Sequence, residues 1–273
     1  MKRNKIIVLV VIFVIGILWV LPMIWPVSTS LRSLENFLKN PNLFLPLDGA
    51  TTQFYKRIWS DTPIGRWYFN SFLVSAVVTL VATFIDFMAA YPLAKLKFYG
   101  SRIINFMTVL CLMIPFTILL VPLYNLMDKF GLTNTYLGII LPQLVSPFGV
   151  FLLRNYLVSI PDEYIEAAKI DGANMLKIAF RIIFPLAIPG IVTVIIFTFL
   201  GSWNNLLWPL VIAPTRKMFT LTVGLTSVTS GNVPDYNIIM ATASVLSGVP
   251  LYILFFFVQK YIIKGLAMQS GLK

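Results

Sequence analysis

The sequence predicts an all-α integral membrane protein with six transmembrane helices. Of the 273 residues, 58% are hydrophobic and only 11% are charged, whereas soluble domains are about 25% charged. Six spans of about 20 residues each fit within this length and leave room for loops and tails. The composition therefore argues against a soluble globular enzyme.

The first transmembrane helix is predicted at residues 6–26, an almost unbroken apolar run that follows three basic residues. A signal peptide has a shorter apolar core of about 7–15 residues and a small-residue cleavage site, so we expect this helix to be retained. Residues 27–69 mix polar side chains with turn-forming residues, which predicts an ordered external loop. We therefore expect residues 1–69 to form the first helix and its loop, and residues 70–273 to form a five-helix core.

The five helices of this core are predicted from apolar runs at residues 70–92, 104–127, 136–154, 184–212 and 237–259. Prolines are frequent inside these runs, and each proline removes a backbone donor and bends or breaks a helix. Two explanations stay open, because prolines are tolerated in membrane helices but also suit a bundle that rocks or lines a path.

The distribution of lysine and arginine predicts the orientation, because cytoplasmic loops carry the excess of basic residues. With the N-terminus inside, the inner segments hold 13 of the 21 basic residues, and the outer segments beyond the long first loop hold three. We therefore expect a multi-pass protein of the plasma (inner) membrane with both termini in the cytoplasm. The net charge of +11 then reflects contact with the anionic lipid bilayer, and no nucleic-acid partner is expected.

The residue types exclude several kinds of chemistry. The chain has no histidine and a single cysteine, Cys111, so it cannot form a histidine triad, a histidine-ligated metal site or a cysteine cluster. It also has no Gly-Lys dipeptide, which the common phosphate-binding loop requires. We therefore expect a chain that is not an enzyme, with no catalytic residue, no metal and no cofactor.

The most informative segment spans about 155–183 and predicts a helix–turn–helix on the cytoplasmic face, which we name the elbow. Ser159 and Asp162 fit a capping box, in which side chains cover the free amides of a helix start. Gly172 permits the left-handed conformation that ends a helix, and a second helix is expected from about Met175. The elbow then leads into the next apolar run.

The first helix of the elbow has features that suit contact with a partner. Ala167 and Ala168 lack bulk, so a partner surface can approach the backbone closely there. Tyr164 and Ile165 are expected to present apolar surface beside them. Glu166 places negative charge in the first turn, where it stabilises a helix start.

The elbow resembles the EAA loop of binding-protein-dependent ABC importer permeases, through Glu166-Ala167-Ala168, Gly172 and Ile182-Ile183-Phe184-Pro185. The family usually has Leu where Phe184 stands. Residues 90–100 are similar to the aromatic–basic loop of the carbohydrate-type, MalG-like branch. Two further segments, 202–205 with Pro209 and 259–266, add to the resemblance, which runs in order from about residue 70 to the end.

This resemblance implies a type I ABC importer permease fold and a role in carbohydrate transport. It implies a second permease subunit that makes a heterodimer, two cytoplasmic ATPase subunits, an extracytoplasmic substrate-binding protein and a sugar or oligosaccharide as the small-molecule substrate. It also implies that the elbow couples the permease to the ATPase, through Tyr164, Glu166, Ala167, Ala168, Asp171, Gly172 and Pro185.

Two groups of side chains are candidates for the substrate path. Trp203, Asn204, Asn205 and Trp208 combine aromatic faces with amides, which suit a sugar, although a helix break in an interfacial aromatic belt explains them as well. Small hydroxyl side chains recur every fourth residue on one helix face, which fits helix packing or a path, at Ser71, Ser75, Thr79 and Thr83.

Two other classes of protein stay open as alternatives. A self-sufficient secondary transporter or channel would need its own ion site, and Asp86 is the one acidic residue within a predicted span. A membrane-embedded enzyme would need a catalytic constellation that the scarcity of suitable side chains does not provide. We expect Asp86 to face the bundle interior or the cytoplasmic vestibule, to have a polar partner and to serve a structural role.

Overall fold

The computed structural model describes residues 2–41, 49–229 and 235–269. Within these ranges the chain is helical and contains no β-strand, which confirms the predicted all-α fold class. The side chains of the tail segment beyond Gln259 lie outside the described part. The helices are α1 Lys2–Ser30, α2 Leu34–Lys39, α3 Gln53–Asp61, α4 Ile64–Lys95, α5 Ser101–Leu112, α6 Phe116–Lys129, α7 Tyr136–Ile140, α8 Pro147–Val158, α9 Glu163–Ile170, α10 Met175–Ile178, α11 Phe184–Leu186, α12 Ile188–Trp203, α13 Leu207–Ile212, α14 Leu221–Val228 and α15 Tyr236–Gln269.

Three helices in the described part, α1, α4 and α15, are long and apolar enough to cross a membrane alone. Three bent pairs also pass this test together: α5 with α6 at 98°, the α7 segment with α8 at 43°, and residues 175–186 with α12 at 76°. The count therefore reaches the six predicted spans if each bent pair is one span. A proline stands at the start of the second helix of each pair, at Pro115, Pro147 and Pro189. Proline is tolerated there because the first backbone N–H groups of a helix have no acceptor within the helix.

The predicted span over residues 184–212 has different bounds in the structure. Helix α12 ends at Trp203, Asn204 follows as its C-cap, and α13 is a separate helix that starts at Leu207. Asparagine side chains compete for backbone hydrogen bonds and favour helix ends, so the Asn204-Asn205 pair interrupts the apolar run. The helical segment before α12 begins at Met175, inside the predicted elbow.

The chain forms two compact units, residues 1–66 with 223–252 and residues 67–222 with 253–273. In the first unit Arg32 is 1% exposed, and its guanidinium donates to the Asn36 side chain and to the Asn40 carbonyl. Arg57 also pairs with Asp235 there. These contacts give order to part of the segment that the sequence predicts as an ordered loop.

Two apolar clusters organise the second unit. One joins α4, α8 and the elbow and contains Phe87, Leu153 and Ile165. The other surrounds the end of α13 and contains Ile139 and Trp208. The first cluster therefore packs the elbow against α4 and α8, and this packing positions the candidate site described below.

Asp86 lies on α4 and is 0% exposed, as the sequence predicts for a residue that faces the interior. The expected polar partner is not found, because neither carboxylate oxygen has a hydrogen-bond partner within the described residues. Instead the side chain packs on the first turn of α8, where a Cβ built on Gly149 would lie 1.9 Å from Oδ2 of Asp86. Gly149 is therefore required for this close approach.

We predict that Asp86→Asn lowers the yield of folded protein but retains substrate uptake. Asparagine has nearly the same shape, so the packing on Gly149 survives, but its buried amide adds donors that need acceptors. Gly149→Ala should lower the yield further, since it expels the Asp86 side chain. Detergent-extracted yield and uptake by membrane vesicles test both variants; normal yield without uptake for Asp86→Asn would contradict the structural role.

Candidate functional site

The elbow begins without the capping box that the sequence predicts. The Ser159 hydroxyl donates to the Tyr156 carbonyl at 2.7 Å, and Asp162 occupies the N-cap of α9 but makes no side-chain cap hydrogen bond. Its Oδ1 instead accepts a hydrogen bond from Nζ of Lys95 at 2.6 Å. The prediction fails because an ammonium distant in sequence competes successfully for the carboxylate, and a charge-assisted bond is the stronger one.

The turn of the elbow follows the prediction closely. Helix α9 ends at Ile170, and Gly172 adopts the left-handed conformation with φ of +74°. Helix α10 starts at Met175, where the sequence places the second helix. The side chain of Asn174 caps it by accepting from the backbone N–H of Lys177 at 2.9 Å; asparagine before a helix start is the signal that could have identified this cap.

A widened turn connects α10 to α11. Residues Ala179–Ile183 form a π-helical turn, and α11 begins immediately after it. Pro185 has no N–H for the carbonyl four residues before it, and π-turns occur where the regular ladder is interrupted. Pro185 itself is exposed on the surface of the chain.

The two faces of α9 differ sharply in exposure. Tyr164 is 49% exposed, and Glu166 and Ala167 are exposed beside it. Ile165 and Ala168 are 7% and 5% exposed and belong to the apolar cluster of α4 and α8. The expectation that Ile165 and Ala168 present surface to a partner is therefore wrong, because their three-residue spacing places both on the inner face.

The remaining predicted coupling residues lie on the outer surface of the elbow. Asp171 and Gly172 are exposed at the turn, next to Ile170, which is 87% exposed. Met175 and Leu176 just beyond the turn are also exposed, at 54% and 64%, so several apolar side chains lie on the outside of the elbow.

The electrostatics of the elbow start are dominated by Lys95. Its ammonium lowers the pKa of the Asp162 carboxyl, first through the hydrogen bond and then through its charge. Slight burial acts in the opposite direction, and the charges of Lys97 and Lys169 lower the pKa further. A carboxyl with a lowered pKa contributes its stabilisation above its ordinary pKa and loses it as the pH falls through the lowered value. The contact is therefore fully formed near neutral pH.

The four predicted path residues divide into buried and accessible groups. Trp203 and Trp208 are 2% and 0% exposed, and Nε1 of Trp208 donates to the Gly138 carbonyl at 3.0 Å. Asn204 is exposed, and Asn205 is partly buried. Both indole rings are thus enclosed by the chain itself, and the Asn205 amide oxygen accepts from the backbone N–H of Trp208 at 3.3 Å, whereas Asn204 is exposed.

A groove of about 260 Å³ lies beside this segment. The Asn205 amide donates to Oε1 of Gln143 at 3.2 Å, and Gln143 lines the groove together with Ser146, Ser202 and three phenylalanines. Gln143 and Ser146 were not identified from the sequence, because single polar residues in an apolar run carry no distinctive pattern.

The hydroxyl face of α4 is buried within the chain. Ser71, Ser75, Thr79 and Thr83 are 2%, 1%, 4% and 6% exposed, and the Ser71 hydroxyl accepts from the backbone N–H of Leu221 at 2.7 Å. This burial favours helix packing over a substrate path for these residues.

The fold and the elbow define a helical multi-pass membrane protein that presents a short helix–turn–helix outside its apolar runs. Residues 87–268 match the family described as the binding-protein-dependent transport system inner membrane component, and the chain belongs to that family. The resemblance stated from the sequence is thereby confirmed. The chain is a permease subunit of an ABC importer, a transport component whose ATPase is a separate subunit.

Relatives of known name cover nearly the whole chain. It is 37% identical to the arabinooligosaccharides transport system permease protein AraQ of Halalkalibacterium halodurans, over 95% of this chain and 93% of that protein. It is 34% identical to the diacetylchitobiose uptake system permease protein NgcG of Streptomyces coelicolor, over 90% of this chain and 83% of that protein.

The fold is also found in a solved structure. A chain of a bacterial ABC transporter involved in the import of the acidic polysaccharide alginate superimposes with a TM-score of 0.81 at 24% identity, over 96% of this chain and 97% of that chain. This likeness confirms the predicted type I importer permease fold.

Proposed function

We propose that this chain is the permease of an importer for a sugar or oligosaccharide and that its elbow docks on a cytoplasmic ATPase subunit. The observation that carries the docking proposal is the two-faced helix α9. Its inner face is fixed in the chain's own core by Ile165 and Ala168, while its outer face leaves Tyr164, Glu166 and Ala167 exposed. Because its inner face is fixed to the core, α9 can pass a displacement of the ATPase subunit to the rest of the chain without rotating about its own axis.

The proposed substrate class rests on the relatives. The names of the two relatives reported above refer to arabinooligosaccharides and to diacetylchitobiose. The groove beside Asn205 offers amide and hydroxyl groups between aromatic rings, which is the combination that binds a sugar. We propose that the substrate occupies this groove and reaches Asn204 and Asn205, which follow its lining residue Ser202 in the chain, and that Trp203 and Trp208 hold this segment in place.

The proposed assembly follows the family. It contains a second, different permease subunit, two cytoplasmic ATPase subunits and an extracytoplasmic substrate-binding protein. Both termini of this chain lie in the cytoplasm, residues 1–69 supply the first helix with its external loop, and residues 70–273 supply the core. Ala168 packs α9 against the apolar core. The coupling residues exposed on the elbow are Tyr164, Glu166, Ala167, Asp171, Gly172 and Pro185.

A cysteine crosslink tests the docking. Glu166→Cys should crosslink to a cysteine on the ATPase subunit in the assembled transporter, because position 166 lies on the outer face of α9. The experiment uses a Cys111→Ser background, since Cys111 is exposed. The crosslinked product is detected by its mass on a denaturing gel.

Ile165→Cys is the matched control for this crosslink. The two positions are neighbours in the same helix, but Ile165 is 7% exposed and faces the core. A crosslink from position 166 and none from position 165 supports the proposal. No crosslink from position 166, or equal crosslinks from both, contradicts it.

A further inference from the structure

Lys95, the last residue of α4, joins the ends of three helices. Its ammonium donates to the carbonyl of Ile160 and to Oδ1 of Asp162, the latter at 2.6 Å. Ile160 follows the end of α8, and Asp162 is the N-cap of α9. A single cation therefore touches the end of α4, the exit from α8 and the start of the elbow.

The burial of this ammonium distinguishes it from an ordinary surface ion pair. The Lys95 side chain is 3% exposed, whereas that of Asp162 is 73% exposed. Lysine is rarely buried without a partner, so the buried ammonium depends on its two acceptors, and removal of either leaves it less well compensated. On either side of Lys95, Ala94 and Leu96 pack against the apolar cluster that also contains Ile160. The contact thus lies at the edge of the core.

We propose that Lys95 is a positioning residue for coupling, which ties the elbow to the cytoplasmic end of α4 so that displacement of α9 moves α4 with it. This inference rests on the proposed docking of the elbow on the ATPase. Helix α9 has only 8 residues, so its direction depends on what holds its first turn. The inner-face contacts of Ile165 and Ala168 are apolar and without direction, whereas the ammonium adds a directed contact at the start of the helix.

Lys95→Met tests the inference in the assembled transporter, reconstituted in proteoliposomes with its binding protein. Methionine keeps an unbranched apolar stem and removes the ammonium. We expect substrate uptake per ATP hydrolysed to fall about tenfold, within the range of typical coupling energies, while the crosslink from Glu166→Cys to the ATPase persists. Lys95→Arg keeps a cation that can donate to both acceptors, so this variant should keep most of the native uptake per ATP hydrolysed.

Lys97→Met is the matched control, because Lys97 is exposed and close in sequence and its loss changes the net charge equally. It should leave the uptake ratio unchanged. If Lys95→Met does not fold, Asp162→Asn weakens the same contact from its exposed side and should lower the ratio in the same direction.

The role of Lys95 would be overturned by a native ratio of uptake to ATP hydrolysis in the folded Lys95→Met variant, or in Asp162→Asn where Lys95→Met does not fold. Equal losses of this ratio in Lys95→Met and Lys97→Met would also overturn it. So would a loss in Lys95→Arg as large as that in Lys95→Met. Absence of the position-166 crosslink when Lys95 is native defeats the docking proposal instead. The two failures are therefore distinguishable.

Discussion

Gly172→Val is expected to abolish coupled uptake and to leave the chain inserted in the membrane. Gly172 has φ of +74°, a conformation that a β-branched residue strongly disfavours. Among the described residues, no atom beyond its chain neighbours lies within 4 Å of a Cβ built on it, so the effect is backbone strain and not a clash. Strain of about 1–3 kcal/mol is enough to redirect the turn between α9 and α10. Vesicle uptake and co-purification of the ATPase subunit measure the loss.

Gly172→Asn is the control for this strain. Asparagine enters the left-handed region more readily than other residues with a side chain, and the open space around the Cβ accommodates it. This variant should retain most of the uptake. Native uptake in Gly172→Val, or an equal loss in both variants, would show that the conformation of the turn is not what coupling requires.

Ala167→Trp and Ala168→Trp are expected to fail in different ways. Ala167 is exposed, so tryptophan there should hold the ATPase subunit away while the chain folds at its normal yield. Ala168 is 5% exposed in the apolar cluster, so tryptophan there overpacks the core, at about 1–3 kcal/mol or more. Folded yield should fall for position 168 and ATPase co-purification for position 167.

Ala167→Ser and Ala168→Ser are the small-residue controls for these variants. Serine changes the volume little, so Ala167→Ser should keep ATPase co-purification. Ala168→Ser should reduce yield modestly, because it buries a hydroxyl. The two-faced account of α9 would be contradicted if both tryptophan variants lost co-purification at normal yield.

The features that the sequence predicts well are those with a local physical cause. Apolar runs locate the membrane-crossing helices because a helix that crosses the hydrocarbon core must be apolar over about 20 residues. Gly172 is predictable because few other residues accept its conformation, and the start of α10 at Met175 follows from the same turn. For the same reason the described helices reach the predicted count of six when each of the three bent pairs is one span.

The features that the sequence does not predict depend on contacts between distant residues. Asp162 reads locally as part of a capping box, but its partner is Lys95, 67 residues away. Ala167 and Ala168 are identical in type, and only the rotation of α9 relative to the core decides which one is buried. An indole such as that of Trp208 suits a sugar site, yet in this structure the Trp208 ring is buried and its Nε1 donates to the Gly138 carbonyl.

Uptake by proteoliposomes that contain the complete transporter tests the central claim most directly. Labelled oligosaccharide, the binding protein on the outside and ATP on the inside are varied one at a time, with and without an imposed ion gradient. The account predicts uptake only when ATP is present with the binding protein, at the same rate with or without the gradient. Uptake driven by the ion gradient in the absence of ATP would contradict it and would identify the chain as a self-sufficient secondary transporter.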